Sequence, residues 1–295
     1  MKSLAHWEST GRYITLENQQ VFYKNDGQGE VLLLLHGFAT SSWDWHKVYT
    51  PLTKNYQVIV PDFLGFGFSD KPPKQSYTTH SRVHTLQQLL GGLGILEVHI
   101  VACSFSVSLV QELLCWQKEG KLTFRIQSAC LLNGGLLTEV NRPSLPQKLM
   151  LSRFGGVITR FFSKKTLDKT LRKIFAENTQ PSPQLIDEYW ELLRHKNGLK
   201  VLHKTVCYLK ERRLYAKRWQ DILQQAQVPV CLIWGVDERD TISGKDTVTK
   251  YKALVPNANV TSLPNIGHYP QLEAPKLFLT HLYKFYEKNI QKLDG

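Results

Sequence analysis

The sequence predicts an α/β fold: a mostly parallel, eight-stranded sheet with helices on both faces and a separate helical domain. Three observations predict it. Short apolar runs alternate with segments of helical spacing through residues 1–135, the rhythm of strand–helix–strand units. That rhythm stops between 136 and 222, where only helical patterns and polar joints such as Gln180-Pro181-Ser182-Pro183 occur, and resumes over 223–295. The central runs, Val31–Leu35 above all, are continuously apolar rather than alternating, as expected of strands covered on both faces.

Arg12–Leu16 and Val21–Tyr23 alternate and flank polar residues, which reads as an antiparallel pair. Val31–Leu35 is a buried strand, Trp43–Leu52 a short helix and Gln57–Pro61 another buried strand. Ser81–Leu93 places Leu86, Leu89, Leu90 and Leu93 on one helical stripe. Val98–Ala102 is a strand, Val107–Trp116 a helix and Ile126–Leu132 a strand. After the helical block come a strand at Val228–Trp234, a helix near Thr247–Leu254, a strand at Asn259–Leu263 and an amphipathic helix over Pro275–Asn289.

The 295 residues are 42% hydrophobic and 21% charged, enough apolar content for a large core in one or two domains. The N-terminal stretch from Met1 to Glu8 has no apolar h-region, so no secretory signal is expected. Val31–Leu35 is the longest strongly apolar run, far short of a membrane span. The five cysteines (103, 115, 130, 207 and 231) are scattered without a Cys-x-x-Cys pair. They read as reduced core thiols of a cytoplasmic protein.

The net charge of +12 is segregated. Residues 136–222 hold 18 Lys and Arg against 8 Asp and Glu; the remainder holds 19 against 17. A solvated lysine-rich surface accounts for such an excess, and so does attraction to anionic lipid. No nucleic-acid motif accompanies it, so no nucleic-acid partner is expected. In the helical block Leu145, Leu149, Phe154, Val157, Ile158, Phe161 and Phe162 interleave with Lys148, Arg153, Arg160, Lys164 and Lys165. These apolar residues either pack the block onto the sheet or make a peripheral membrane contact.

In open parallel sheets, ligands collect beyond the carboxyl ends of the strands. Three polar positions fall there. Ser104 follows Val98–Ala102; Asp237-Glu238-Arg239-Asp240 follows Val228–Trp234; His268 follows Asn259–Leu263. The order serine, acid, histidine is that of a Ser-His-Asp triad on a strand–turn–helix nucleophile elbow. A serine hydroxyl needs a base within reach, and the base an orienting carboxylate. The glycines that commonly flank an elbow serine are replaced by Ala102 and Ser106, which are also small. Ser106 passes the same small-residue test, but Ser104 comes directly after the apolar strand; Cys103 would be flanked by Val101 and Phe105. Asp237, Glu238 and Asp240 all remain candidates for the acid. Asp240 is preferred because Ile242 would tuck its loop back onto the sheet.

The developing oxyanion requires donors. The backbone N–H groups of Phe105, after the serine, and Phe38, in the loop His36-Gly37-Phe38-Ala39-Thr40, are the natural pair. The run Asp62-Phe63-Leu64-Gly65-Phe66-Gly67-Phe68-Ser69-Asp70-Lys71-Pro72 lacks the third glycine and the Lys-Ser/Thr of a nucleotide loop and reads as a supporting turn. No His, Cys and Glu spacing suits a metal, and no cofactor is expected.

His36-Gly37-Phe38, the Asp62–Pro72 run, the elbow at Ser104 and His268-Tyr269-Pro270-Gln271-Leu272-Glu273-Ala274-Pro275 together resemble the α/β-hydrolase superfamily. Within it they most resemble the branch holding epoxide hydrolases, haloalkane dehalogenases and mesoderm-specific transcript proteins. Asn133-Gly134-Gly135, Arg142-Pro143 and Gln147-Lys148-Leu149 extend the likeness to the last of these. The resemblance implies an α/β-hydrolase core over 1–135 and 223–295, with a helical cap over 136–222 and the site between them. In the epoxide hydrolase and dehalogenase branches the elbow nucleophile is aspartate; here it is Ser104, which would form an acyl-enzyme. The position before it is Cys103, where the superfamily often has His or an aromatic residue. The loop after Gly235 is longer than usual for the family, which keeps the acid open among Asp237, Glu238 and Asp240. The expected activity is hydrolysis of a small-molecule acyl substrate, with esters, lactones and acylglycerols all open. A relative that keeps the fold only as a binding module is the alternative.

Overall fold

The computed structural model describes residues 3–240 and 242–290, with side chains to residue 287; Met1, Lys2 and Thr241 lie outside the described residues. Eight strands form one sheet: β1 (Arg12–Leu16), β2 (Gln19–Asp26), β3 (Val31–Leu35), β4 (Gln57–Pro61), β5 (Glu97–Ser104), β6 (Arg125–Gly134), β7 (Val230–Gly235) and β8 (Asn259–Leu263). Their spatial order is β1-β2-β4-β3-β5-β6-β7-β8. β1 pairs antiparallel with β2, and β2 with β4. Every other pairing is parallel.

Alternate residues of the central strands enter opposite cores, as the two-residue period of a strand requires. Leu33, Leu35, Ile100, Ala102, Leu131 and Leu232 face one side. Leu32, Leu34, Val101, Cys103, Leu132 and Ile233 face the other. The first side is covered by α3 (Thr79–Gly92) and α4 (Ser106–Lys118), joined by the later helices α11 (Ala216–Gln225) and α12 (Lys245–Leu254). The second is covered by α1 (Leu4–Ser9), α2 (His46–Leu52) and the C-terminal α14 (Pro275–Ile290), which follows the short α13 (Pro270–Glu273). The cysteines are free thiols; four are buried, three of them in the second core, and Cys207 is half-buried.

Between β6 and β7 the chain is helical: α5 (Leu145–Met150), α6 (Gly155–Ile158), α7 (Lys164–Ile174), α8 (Pro183–Arg194), α9 (Leu202–Thr205), α10 (Tyr208–Leu214) and α11, with short 3-10 turns between. Ser163 and Ser182 accept from the backbone N–H three residues on and start α7 and α8. The buried faces of these two helices, Leu167, Leu171 and Ile174 with Leu185, Ile186 and Tyr189, join the second core.

The differences from the sequence expectation include three in the first 52 residues. Trp43–Leu52 is a 3-10 turn over Ser42–Trp45 that passes into α2. β2 runs from Gln19 to Asp26, longer than the apolar triplet Val21–Tyr23. Its buried Lys24 reaches the Thr10 carbonyl at 2.7 Å and packs its ammonium over Trp7. Helix α1 was not expected: six residues carry two buried anchors, Leu4 and Trp7, too few for a periodic signal. The Trp7 indole donates to Ser42 Oγ at 3.0 Å.

Candidate active site

Ser104 ends β5, and α4 starts two residues later. Its φ of +57° lies in the left-handed region, a conformation that costs energy for a side chain with a Cβ and recurs at functional turns. The turn fits because its neighbours are small. A Cβ on Gly134 of the adjacent strand would lie 2.2 Å from the Ser104 carbonyl oxygen, and one on Gly37 would lie 3.0 Å from Ser104 Cβ. Ala102 and Ser106 are fully buried. Ser106 also spends its hydroxyl on the His36 carbonyl, at 2.6 Å. Ser104 instead is half-buried and lines a pocket.

The pocket lies between the sheet and the helical block. His268 lines it together with Ser104. Met150, Phe162, Leu167, Leu171 and Ile174 of the block give it an apolar wall.

His268 is held by Asp240. Nδ1 donates to Asp240 Oδ2 at 3.0 Å, and both side chains are buried. Ser243 Oγ donates to the same oxygen at 2.5 Å and lies 3.1 Å from His268 Nδ1. The other oxygen, Oδ1, accepts from the N–H groups of Ile242 and Ser243. Burial pushes the Asp240 carboxyl up, but the His268 ring and the hydrogen bonds from Ser243 and Asn133 outweigh it. The group therefore sits below its ordinary value and stays ionised. Of the other two candidates, Glu238 points to solvent beside Lys245. Asp237 caps its own loop by accepting from Arg239 N–H at 2.9 Å. Ile242 is half-buried against the second core and faces the pocket.

Phe38 and Phe105 flank the serine. Among the described residues neither backbone N–H has an acceptor within the protein, which leaves both able to receive an oxyanion. The loop carrying Phe38 is fixed by Asp44. Its Oδ2 accepts from Gly37 N–H at 2.9 Å and Thr40 Oγ1 at 2.7 Å, and its Oδ1 from the Tyr189 hydroxyl at 2.6 Å. Burial pushes the Asp44 carboxyl up to about 6. The Asp62–Pro72 run is a supporting turn. Asp62 Oδ1 accepts from Ser42 N–H and Oδ2 from Phe68 N–H, which ties the turn to the start of the 3-10 segment. Among the described residues no group of three or more His, Cys, Asp or Glu is placed to hold a metal ion. No helix among them is long and apolar enough to cross a membrane.

The family model of the alpha/beta hydrolase fold matches residues 30–275. The chain belongs to this family. The mesoderm-specific transcript protein of Mus musculus is 33% identical over 293 residues, covering 94% of this chain and 86% of that one. Lipase 1 of Psychrobacter immobilis is 25% identical over 264 residues, covering 86% of this chain and 77% of that one. Among solved structures, the epoxide hydrolase CorEH superposes with a TM-score of 0.76 at 18% identity, covering 95% of this chain and 99% of that one.

Within the α/β hydrolase frame, several residues around the site were not singled out for a role by sequence reasoning. Asn133, at the end of β6, bridges to β7: Nδ2 donates to the Gly235 carbonyl and to Asp240 Oδ2, and Oδ1 accepts from Gly235 N–H. Glu273 accepts from the N–H groups of Gly267 and Tyr269 on either side of His268, and from Ala176 N–H and Thr179 Oγ1 of the helical block. Arg212, buried on α10, donates to Ser108 Oγ at 2.7 Å, Asn141 Oδ1 at 3.1 Å and the Ser104 carbonyl at 3.4 Å. Burial lowers its guanidinium to about 10. The available signal was position: Asn133 lies at a strand end, and Glu273 belongs to the run that carried the resemblance. Arg212 had none, being one cation among many in a basic block.

Proposed function

We propose that this protein is a serine hydrolase that cleaves carboxylic esters, lipid esters included, through an acyl-enzyme, with the block at 136–222 acting as its cap. The observation that carries the reading is the buried 3.0 Å bond from His268 Nδ1 to Asp240 Oδ2, in a ring that shares its pocket with Ser104. An ionised carboxylate at Nδ1 fixes the tautomer in which Nε2 is free to take a proton.

In this reading Ser104 Oγ attacks the ester carbonyl carbon, and its proton passes to His268 Nε2. The carbonyl oxygen becomes an oxyanion between the N–H groups of Phe38 and Phe105. Collapse breaks the carbon–oxygen bond; the alcohol leaves with the proton from His268, and the acyl group stays on Ser104. Water, deprotonated by His268, then attacks the ester carbon. The carboxylic acid leaves and Ser104 regains its proton. The apolar wall of the pocket suits an acyl chain, and similarity to a protein named as a lipase agrees with this class. The serine at the elbow favours acyl transfer over the alkyl-ester chemistry of aspartate-nucleophile relatives.

Hydrolysis of a short-chain acyl ester tests the assignment. Asp240→Asn is expected to lower kcat by roughly 10³–10⁴-fold, as loss of the orienting carboxylate does in other triads. Asp237→Asn and Glu238→Gln are expected to leave kcat within roughly twofold. A large loss in Glu238→Gln or Asp237→Asn with little loss in Asp240→Asn would overturn the choice of acid, and no turnover by the wild type would overturn the activity.

A further inference from the structure

Nine large hydrophobic residues are exposed among the described residues, and five of them fall within 17 consecutive positions: Leu145, Leu149, Phe154, Val157 and Phe161. This stretch comprises α5, α6 and the 3-10 turn Thr159–Phe161, and α5 packs on α6. Leu145 and Leu149 are four residues apart on one helix face, and Phe154, Val157 and Phe161 follow the same helical spacing. Phe161 is 80% and Leu145 68% exposed, so the alternative that these residues pack the block onto the sheet does not hold for them. Other residues of the stretch turn inward: Met150 and Phe162 join the first core, and with Gln147 they line the Ser104 pocket.

Within this stretch of chain the charge has one sign. Residues 145–165 contain Lys148, Arg153, Arg160, Lys164 and Lys165 and no Asp or Glu. All five are exposed. Lys164 pairs with Asp187 of α8, and the Arg153 guanidinium lies 4.7 Å from the Phe154 ring centroid. An exposed apolar row set among cations is the composition of a surface that enters the headgroup region of an anionic bilayer.

We infer that this face of the helical block docks on an anionic phospholipid surface, with Phe154, Val157 and Phe161 inserted at the headgroup boundary and the five basic side chains against lipid phosphates and carboxylates. The occupant is a bilayer rather than an acidic protein because the apolar row runs over two helices and a turn, with cations interspersed along it. Docking would hold the wall of the Ser104 pocket at the membrane. The surface stands independently of the catalytic assignment, since none of its exposed residues lines the pocket.

Flotation of the full chain with vesicles tests it, using phosphatidylcholine alone and phosphatidylcholine mixed with phosphatidylserine. The protein is expected to float with the mixed vesicles at low salt, to be released by added salt, and to stay behind with phosphatidylcholine alone. Phe154→Ser with Phe161→Ser should weaken binding roughly tenfold or more. Each of Lys148→Glu, Arg153→Glu and Lys165→Glu should weaken it by roughly fivefold or more. Unchanged thermal midpoints would show that these exposed positions leave the fold intact. Ser104→Ala should bind like the wild type, which separates docking from catalysis. Equal flotation with both vesicle types, none with either, or binding insensitive to these substitutions would overturn the proposal. So would a wild-type dimer that Phe154→Ser with Phe161→Ser converts to monomer, because the face would then belong to a second copy.

Discussion

His36 stands at the junction of β3 and the loop that carries Phe38, fully buried. Phe63 N–H donates to its Nε2 at 3.2 Å, so Nδ1 carries the proton and donates to the Gly37 carbonyl at 2.8 Å. Burial lowers its pKa from 6.5 to about 3. The unfolded chain therefore binds a proton there that the folded chain refuses, and stability falls as pH drops from the unfolded value toward the folded one. The slope approaches about 1.4 kcal/mol per pH unit for one group. His46, lowered to about 4 by burial, acts in the same direction. Asp44, raised to about 6, acts against them: its folded carboxyl keeps a proton that the unfolded one has lost. His36→Asn can keep one donor and one acceptor without titrating. Urea unfolding at several pH values between about 4 and 6 is expected to show a shallower pH dependence in the variant, by close to one proton. Equal slopes in the two proteins would contradict a neutral buried His36.

At the scale of elements, the helical block and the sheet share two clamps beside the serine. Tyr189 of α8 reaches Asp44, and Arg212 of α10 reaches the Ser104 carbonyl. The first clamp predicts a measurable coupling. Tyr189→Phe keeps the ring but removes the hydroxyl donated to Asp44 Oδ1, a buried acceptor. Loss of such a bond costs about 1–3 kcal/mol. The Gly37–Thr40 loop hangs on the other Asp44 oxygen, so kcat for an acyl ester should fall several-fold with KM little changed. Denaturation midpoints and steady-state kinetics check both. A variant with wild-type stability and wild-type kcat would show that the Tyr189 bond does not hold the loop. Neither clamp was legible in the sequence. Tyr189 and Asp44 are 145 positions apart, and nothing in local periodicity joins them. Ser104 was legible because its signals are local: an apolar strand before it, an apolar helix after it and small residues two away on each side. The candidate acid was half-legible. Three carboxylates share one loop, and only tertiary packing turns Asp240 inward and leaves Glu238 in solvent beside Lys245.

At the scale of the molecule, the eight strands and the interruption by helices were readable because central strands buried on both faces give continuous apolar runs. The strand order was not, since crossovers leave no trace in periodicity. The N-terminal helix was missed for its brevity. The long β2 was missed because a buried lysine reads as solvent-facing until its carbonyl and ring partners are known. The segregated charge was visible at once, but only exposure showed that the apolar residues among the cations at 145–165 split between pocket wall and open surface. The proposed chemistry rests on Ser104 and His268 sharing one pocket while Asp240 holds the ring from behind, and intact-protein mass spectrometry after reaction with a fluorophosphonate probe tests it. One adduct per chain is expected, mapped to the peptide bearing Ser104, absent in Ser104→Ala and strongly slowed in His268→Ala. Equal labelling of wild type and Ser104→Ala, or labelling of neither, would contradict it.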